Sequence, residues 1–440
     1  MSISIWEAQN NLNFNNPVDA NDPLFYDLSG ARGDFKINSL YRQLGVDQNA
    51  QKLMMAPQSK SILFTGHMGC GKSTELRNLS KRLDNPEMYF VVYLDCVKNL
   101  DFNNLKYSDL LMACATTLLQ KMSDHSIHID SIHLDRLKSW FYQHVMTQIK
   151  GEDYTAELKA GAEAQASIPF LAKIFGSFMA KISSNISYRD ELRLNVQNHF
   201  AEFAKIFNDF LGIAKERICA TNKGKAIIFI IDGTDRLNSK DSENLFYNDV
   251  HQLLSINGIF IYSAPIYILH CKNLGELRFT SIFRLPMLKI RDRENHEISE
   301  NYTHVRNMAV KRVPLELFEQ SSTLDYLIKY SGGNPRDLIR IINTSISESD
   351  DELITQKGAE KAVKELAQSF NRFLKQEDYE LLARIDLSVD AVEECTGERT
   401  TDLLRQLAIL EYNDFFWKTH PAITTLEGYK RAYHKLESSR

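Results

Sequence analysis

One stretch constrains this chain more than any other: SILFTGHMGCGKSTELRNL, residues 61–79. A short apolar run leads straight into Gly66, Gly69 and Gly71. Lys72-Ser73-Thr74 then opens a segment that sets Leu76, Leu79 and Leu83 on one helical face. Glycine takes the positive φ values that let a chain leave a strand and turn at once into a helix. A strand followed by a crossover helix pairs next with a parallel strand, so this stretch predicts a parallel sheet wrapped by helices.

The rest of the chain supplies the partners. MYFVVYLD (88–95), KAIIFIID (225–232) and GIFIYSAPIYI (258–268) are near-continuous apolar runs, as expected of strands covered on both faces. YSDLLMACATTLLQKM reads as a helix with Ser108 at its N-cap and Leu111, Ala115, Leu118 and Met122 as its stripe. Residues 124–220 contain no strand pattern. They read as a helical insertion, LDRLKSWFYQHVMTQI, AELKAGAEAQA, IPFLAKIFGSFMAKI and LRLNVQNHFAEFAKIFNDFLGIAKERI, the last with Val196, Phe200, Phe203, Ile206 and Phe210 near helical spacing. IPFLAKIFGSFMAKI is too short for a membrane span and carries Lys173 and Lys181, so packing on protein is the first reading and a membrane-surface or partner-docking helix the second.

After Ser263 the chain turns more polar. Short helices follow at LDYLIKY and PRDLIRIINTSI, and a Thr355-capped helix, TQKGAEKAVKELAQSFNRFL, opens a last region. That region ends in a helix and two short aromatic strands about a turn near Asn413-Asp414, the pattern of a winged helix. The expected division is an N-terminal segment (1–57), an α/β core (58–290, interrupted at 124–220), a helical lid (291–350) and a winged-helix-like domain (351–440).

Composition removes several alternatives. A net charge of −5 argues against a chain that is basic throughout, though a local basic face stays open. The six cysteines, Cys70, Cys96, Cys114, Cys219, Cys271 and Cys395, are scattered without a CxxC pair. This gives no zinc or disulfide framework and suits a reducing, cytoplasmic setting. The N-terminal MSISIWEAQNNLNFNNPVD lacks the pattern of a signal peptide. His125 and His128, in DHSIH, read as exposed loop histidines rather than ligands.

Gly66-His67-Met68-Gly69-Cys70-Gly71-Lys72-Ser73 fits G-x-x-x-x-G-K-[ST] at every fixed position, between a strand and a helix. Backbone N–H groups of such a turn curl around phosphates, and the helix N-terminus adds positive potential. Lys72 reaches the β- and γ-phosphates, Ser73 offers a hydroxyl to Mg²⁺, and Thr74 follows in the first helical turn. The second half of such a site is an acid ending a buried strand. Asp232, after AIIFII, fits and would hold Mg²⁺ through water.

At this point the chain resembles the AAA+ and STAND branch of P-loop NTPases, in particular its origin-recognition-like and STAND regulatory ATPases. The phosphate loop, IIFIIDGTDRL, a strand ending near Ser263, and YSGGNPRDLIR (Tyr330–Arg340) carry the resemblance over about residues 20–345. It implies ATP and Mg²⁺ as ligands and Arg336, in the Gly333-Asn334-Pro335-Arg336 turn, as a lid arginine touching the γ-phosphate. It also puts Ser263 or Tyr262 at the first sensor position. Arg32 and Leu40 stand where related ATPases surround adenine, with plain packing of an N-terminal helix as the other reading. Arg278, Arg284, Arg291 and Arg293 are candidates for a finger offered to a neighbouring subunit, and solvated surface arginines otherwise.

One departure stands out. Hydrolysing members usually carry an acid directly after the magnesium aspartate, and here that residue is Gly233. Asp235 is the nearest replacement, either activating water or capping the next helix. The resemblance therefore implies an ATP-binding, ATP-hydrolysing regulatory switch with a slow-turnover option, in signalling or anti-phage defence, acting as a nucleotide-dependent homo-oligomer or with a partner protein. The alternative is a DNA-associated loader or remodeller that contacts duplex DNA through its winged helix. A third reading is a nucleotide-binding scaffold that does not hydrolyse.

Overall fold

The computed structural model describes residues 4–33, 35–101, 104–141, 143–144, 167–184, 186–271, 274–349, 352–388, 397–413 and 416–438. Its centre is a five-stranded, wholly parallel sheet. β1 (Lys60–Gly66), β2 (Tyr89–Asp95), β3 (Ala226–Asp232), β4 (Ile259–Pro265) and β5 (Ser281–Arg284) lie in the order β2-β3-β4-β1-β5. β1 lies inside the sheet, and the chain leaves it toward β2 at one edge while β5 pairs on its other side. The strand ends around β1 therefore form a crevice of the kind in which open α/β sheets hold ligands. Register aligns Asp95 with Asp232 and Thr65 with Ala264, so the ends of the interior strands finish together.

β1 to β4 bury both faces because their residues alternate between two cores. Ile62, Phe64, Val91, Ile228, Ile230 and Ile261 face a layer containing Leu76, Leu79 and Leu83. Leu63, Phe90, Val92, Phe229, Phe260 and Tyr262 face the opposite layer, where Phe229 and Phe260 stack at 4.7 Å. A parallel sheet sandwiched this way, with a glycine-rich turn leaving an interior strand for a helix, is the P-loop NTPase fold.

The helices named here, in chain order, are α1 (Ile5–Asn10), α2 (Lys72–Leu83), α3 (Tyr107–Asp124), α4 (Ser131–Phe141), α5 (Ile168–Ser184), α6 (Ile186–Asn198), α7 (Phe200–Ala220), α8 (Ser299–Val310), α9 (Ser321–Tyr330), α10 (Pro335–Ser347), α11 (Gln356–Asn371), α12 (Gln376–Leu387), α13 (Glu398–Arg405) and α14 (Glu427–Glu437). α4 to α7 make up the described part of the insertion, and they are not an appendage. Leu171, Phe175, Phe203, Phe207 and Phe210 share one apolar cluster with the sheet residues Phe229 and Phe260. The apolar face of α5 is thus packed on protein, against α3 and Phe141. No helix among the described residues is long and apolar enough to cross a membrane.

A third cluster joins α8 to α14 with α1 and the antiparallel hairpin of β6 (Ile409–Glu411) and β7 (Trp417–Thr419). Leu410, Tyr412 and Phe416 of this hairpin also reach the α2 layer of the sheet. Thr355 caps α11 as expected, its side chain accepting from the Gly358 N–H.

Several sequence readings are corrected. Ser108 is not the N-cap of α3 but lies buried in its first turn. The cap position is Lys106, whose N–H donates to the Asp109 carboxylate. β5 was too short and mixed (SIFR) to show an apolar run, and its pairing with β1 supplies what its pattern lacks. The polar stretch 291–313 contains α8, which buries Tyr302, Val305, Met308 and Ala309. On α7 the buried stripe runs through Phe203, Phe207 and Phe210, while Phe200 and Ile206 are only partly covered. The segment AELKAGAEAQA, Cys395 and Asp414 lie outside the described residues. The other five cysteines form no disulfide among the described residues.

Candidate nucleotide-binding site

β1 ends at Gly66 and α2 begins at Lys72. Between them Gly69 and Gly71 hold φ of +81° and +104°, backbone that side chains seldom accept. No side chain caps α2, so the N–H groups of its first turn stay directed outward, where helix polarity favours an anion. The buried Lys72 ammonium donates to the Gly66 and His67 carbonyls, both at 2.8 Å, and pairs with Asp235 Oδ2 at 2.9 Å.

Asp232, at the end of β3, is held by three donors. Ser73 Oγ and the Gly233 N–H donate to Oδ1 at 3.0 and 2.8 Å, and Tyr93 Oη donates to Oδ2 at 2.8 Å. Burial, then the neighbouring Asp235, push its carboxyl above the usual range. A divalent ion would reverse that shift. The paired hydroxyl and carboxylate form a hard oxygen donor set that fits Mg²⁺.

Gly233 has a steric cause. Its φ is +94°, and a Cβ there would come within 2.9 Å of Val97 Cγ2. The chain turns tightly after Asp232, in backbone that a residue with a side chain seldom adopts. Asp235 follows in a one-turn 3-10 helix, Thr234–Arg236. Burial opposes its charge, but Lys72 holds its carboxyl below the usual range. Asp235 does not cap the next helix, which is capped by Asn238 through the Asp241 N–H at 2.9 Å.

The opposite wall comes from the turn before α10. Gly333 has φ +76°, and a Cβ there would lie 2.0 Å from the Leu288 carbonyl oxygen, so only glycine fits. Asn334 Oδ1 accepts the Arg336 N–H at 3.0 Å, and its amide donates to the Met68 carbonyl at 3.0 Å. The Arg336 N–H also approaches the Gly69 carbonyl at 3.4 Å. The N-terminus of α10 is therefore docked on the phosphate loop. Burial lowers the basicity of Arg336, with Arg236 adding to the effect.

Residues 13–18 close the cleft as a strap between the two walls. The Pro17 carbonyl accepts from Arg77 of α2 at 2.7 Å, and the Phe14 ring lies 5.2 Å from the guanidinium of Arg340 on α10. The cleft is lined by five cations, Arg32, Lys72, Arg236, Arg312 and Arg336, against two carboxylates, Glu75 and Asp235. Such a balance suits a polyanion. Its free volume is about 120 Å³, below the roughly 300–1,000 Å³ of ordinary small-molecule sites. A nucleoside triphosphate therefore requires the cleft to widen.

The structure brings Gly69, Gly71, Lys72, Ser73, Thr74, Asp235 and Arg336 to this cleft. The side chains of the remaining loop positions point elsewhere. Met68 is exposed and Cys70 buried. His67 is buried, and its Nε2 accepts the Glu411 N–H of β6 at 2.7 Å. Burial pushes the His67 imidazole down to about 4. The Glu411 carboxylate in turn is bonded by His270 Nε2 at 2.9 Å and Trp417 Nε1 at 3.1 Å. The loop is thus tied to the C-terminal hairpin as well as to α10.

Of the two sensor candidates, Ser263 faces the site, its hydroxyl 3.2 Å from Thr234 Oγ1 and 3.4 Å from Asp235 Oδ1. Tyr262 is buried among Phe260 and Phe279. Arg32 braces the loop, donating to the carbonyls of Pro286 at 2.5 Å and Cys70 at 2.8 Å. Leu40 is fully buried in the α2 layer and does not line the cleft, which corrects its assignment to the adenine surroundings. Arg278 and Arg293 are exposed, Arg284 and Arg291 partly buried, and none of the four lines the cleft. His125 and His128 are exposed. Sequence reasoning missed Tyr93, which sits in an apolar strand whose pattern conceals a functional hydroxyl. It also missed the strap, whose Asn-rich sequence carries no periodic signal.

No family model matches the chain, and no curated protein matches it in sequence. Among solved structures it is similar to a Walker-type ATPase of Pyrococcus abyssi, at 12% identity over 83% of this chain and 90% of that one, with a TM-score of 0.38. It is also similar to the RuvB Holliday junction branch migration motor of Thermotoga maritima, at 12% identity over 92% of this chain and 98% of that one, with a TM-score of 0.34. Likeness at this level says nothing about activity, and the fold rests on the sheet and loop themselves.

Proposed function

We propose that this chain is an ATP-binding and slowly ATP-hydrolysing regulatory switch of the AAA+/STAND type, with α8–α10 as its lid and the C-terminal helices and hairpin as a winged-helix-like domain. One observation carries the reading: Lys72, Ser73, Asp235 and Arg336, from three distant parts of the chain, line a single cation-rich cleft at the end of β1.

In the proposed cycle the γ-phosphate takes the Lys72 ammonium away from Asp235. The freed Asp235 carboxylate then orients a water, with Ser263 beside it, and Arg336 draws the α10 wall against the γ-phosphate. The water oxygen bonds to the γ-phosphorus, the bond to the β–γ bridging oxygen breaks, one water proton passes to the released phosphate, and ADP and phosphate leave. Ser73 and, through water, Asp232 would hold Mg²⁺, which would supply charge neutralisation to the triphosphate. Loss of the γ-phosphate lets Lys72 return to Asp235. The resulting shift of the loop reaches the C-terminal hairpin through His67–Glu411 and the lid through Asn334–Met68.

This arrangement supports a switch over a motor. A side chain at 233 would sit in left-handed backbone against Val97, and Asp235, the nearest acid, is engaged with Lys72. The proposed setting is signalling or defence, acting through nucleotide-dependent self-assembly or a partner protein. The test is Mg-ATP binding and turnover by the purified chain, with its size followed in parallel. Saturable binding and slow turnover, both lost in Lys72→Ala, are expected. Turnover unchanged in that variant would reject the site.

A second reading, contact with duplex DNA through the winged-helix-like domain, draws on one feature. Lys418 and Arg293 flank Phe416 beside a cavity of about 650 Å³ that Arg291 and Lys329 also line. Binding that weakens steeply with salt would favour it.

A further inference from the structure

The insertion carries a cluster that the nucleotide site does not use. α4 and α7 pack along an aromatic seam in which the rings of Trp140 and Phe203 lie 4.9 Å apart. Helical spacing carries that seam to its polar end. His144 lies one turn beyond Trp140, His199 one turn before Phe203, and Glu202 three residues after His199 on the same face. The His144 and His199 rings come to 4.1 Å between centroids, and His144 Nε2 lies 3.6 Å from Glu202 Oε2. One donor atom from each of the three residues lies within 4.8 Å of the other two.

We propose that His144, His199 and Glu202 bind a divalent transition-metal ion, zinc by preference, which clips α4 to α7. Two imidazoles and one carboxylate are a borderline donor set suited to zinc, and three protein ligands leave the fourth position to water. Zinc–ligand bonds of about 2.0–2.2 Å put tetrahedral donors roughly 3.3 Å apart, so small rotamer changes close the shell. Both rings are half-buried. The clip closes a long loop of chain between residues 144 and 199, where a cross-link restricts the unfolded state most.

The experiment uses the full chain, stripped with chelator and free of nucleotide, titrated with Zn²⁺ by calorimetry and with Co²⁺ by visible absorption. One equivalent of Zn²⁺ is expected, with a Co²⁺ spectrum of four-coordinate nitrogen and oxygen ligation. Affinity should fall by roughly tenfold or more in His144→Ala, His199→Ala and Glu202→Gln. His296→Ala, which removes the exposed Asp292-Glu294-His296 cluster, should leave it unchanged. Glu202 is half exposed, so its variant tests the ligand set without threatening the fold. Three results would overturn the proposal: no saturable binding, loss confined to His296→Ala, or a thiolate–cobalt charge-transfer band that places the ion on Cys219 or Cys271.

Discussion

The cleft has two unlike sides. One is the phosphate loop, built from consecutive residues, and its function lies in backbone N–H groups and one lysine. The other is assembled from residues 13–18, Arg312 and Arg336, which meet only because α1, α8 and α10 share a core. The first side is local and rigid. The second is long-range, and the cleft must widen before a nucleotide enters. On the proposed reading the difference separates binding from sensing: the loop would supply the charge, and the opposite wall would report that the charge has been met.

Removing the lysine should have the largest effect. Lys72→Ala loses the cation aimed at the β- and γ-phosphates and leaves Asp235 buried without its partner. Turnover is expected to fall by about 10³-fold, near 4 kcal/mol of transition-state stabilisation. Steady-state phosphate release measures it. A fall of less than tenfold would mean that the loop side does not carry the chemistry.

The next effect tests how firmly the loop is tied to the C-terminal hairpin. His67 titrates near 4 in the folded chain because of burial, against an unfolded value near 6.5. The unfolded state therefore binds the extra proton first. Stability is fully present above about pH 6.5 and is lost as pH falls toward 4, by on the order of 3 kcal/mol. Protonation also removes the lone pair that accepts the Glu411 N–H. Glu411 is opposed by burial but held below the usual carboxylate range by His270, so its own loss comes at lower pH. Urea unfolding from pH 7 to 4 should show the slope, and His67→Asn should flatten it. An equally steep slope in that variant would move the acid sensitivity elsewhere.

Arg336→Ala acts on the second side. It removes a cation facing Asp235 but leaves the Asn334 contacts that dock α10. Preference for ATP over ADP is expected to fall by about tenfold, or 1.4 kcal/mol, with ADP affinity nearly unchanged. Equal losses for both nucleotides would make Arg336 a general phosphate ligand and not a reader of the γ-phosphate.

These two sides were unequally legible in the sequence. The loop, the four longer strands and Asp232 were readable because each is a local pattern: fixed glycine spacing, or an apolar run ended by an acid. Arg336 was found only because it sits in a recognisable Gly-Asn-Pro-Arg turn. The short strand β5 depends on pairing with β1, and the strap on packing against α2 and α10, so neither leaves a periodic trace. Gly233 was visible as a departure, but its cause, the approach of Val97, is a tertiary contact. The direction of the His67 side chain was not legible for a related reason. A loop motif fixes the backbone around phosphate and says nothing about where a variable side chain goes, and this one faces the hairpin.

The smallest effect concerns what holds the strap shut. Beside the Arg77–Pro17 hydrogen bond, two side-chain contacts compete for the role. Lys81 and Asp19 form an ion pair at 3.7 Å with both side chains over two-fifths exposed, and such pairs contribute roughly 0–1 kcal/mol. Phe14 instead packs against the helical body and under the Arg340 guanidinium, and the cation–π contact alone adds about 0.5–1 kcal/mol at an exposed site. The nucleotide has to displace whichever contact closes the cleft. Phe14→Ala should therefore speed ATP association by several-fold, roughly the factor that 1 kcal/mol allows, while Lys81→Ala changes it by less than about twofold. Stopped-flow binding of a fluorescent ATP analogue separates them. If Lys81→Ala gives the larger acceleration, and the difference vanishes in high salt, the strap is held by charge, and the second side of the cleft is gated from solvent rather than from its own core.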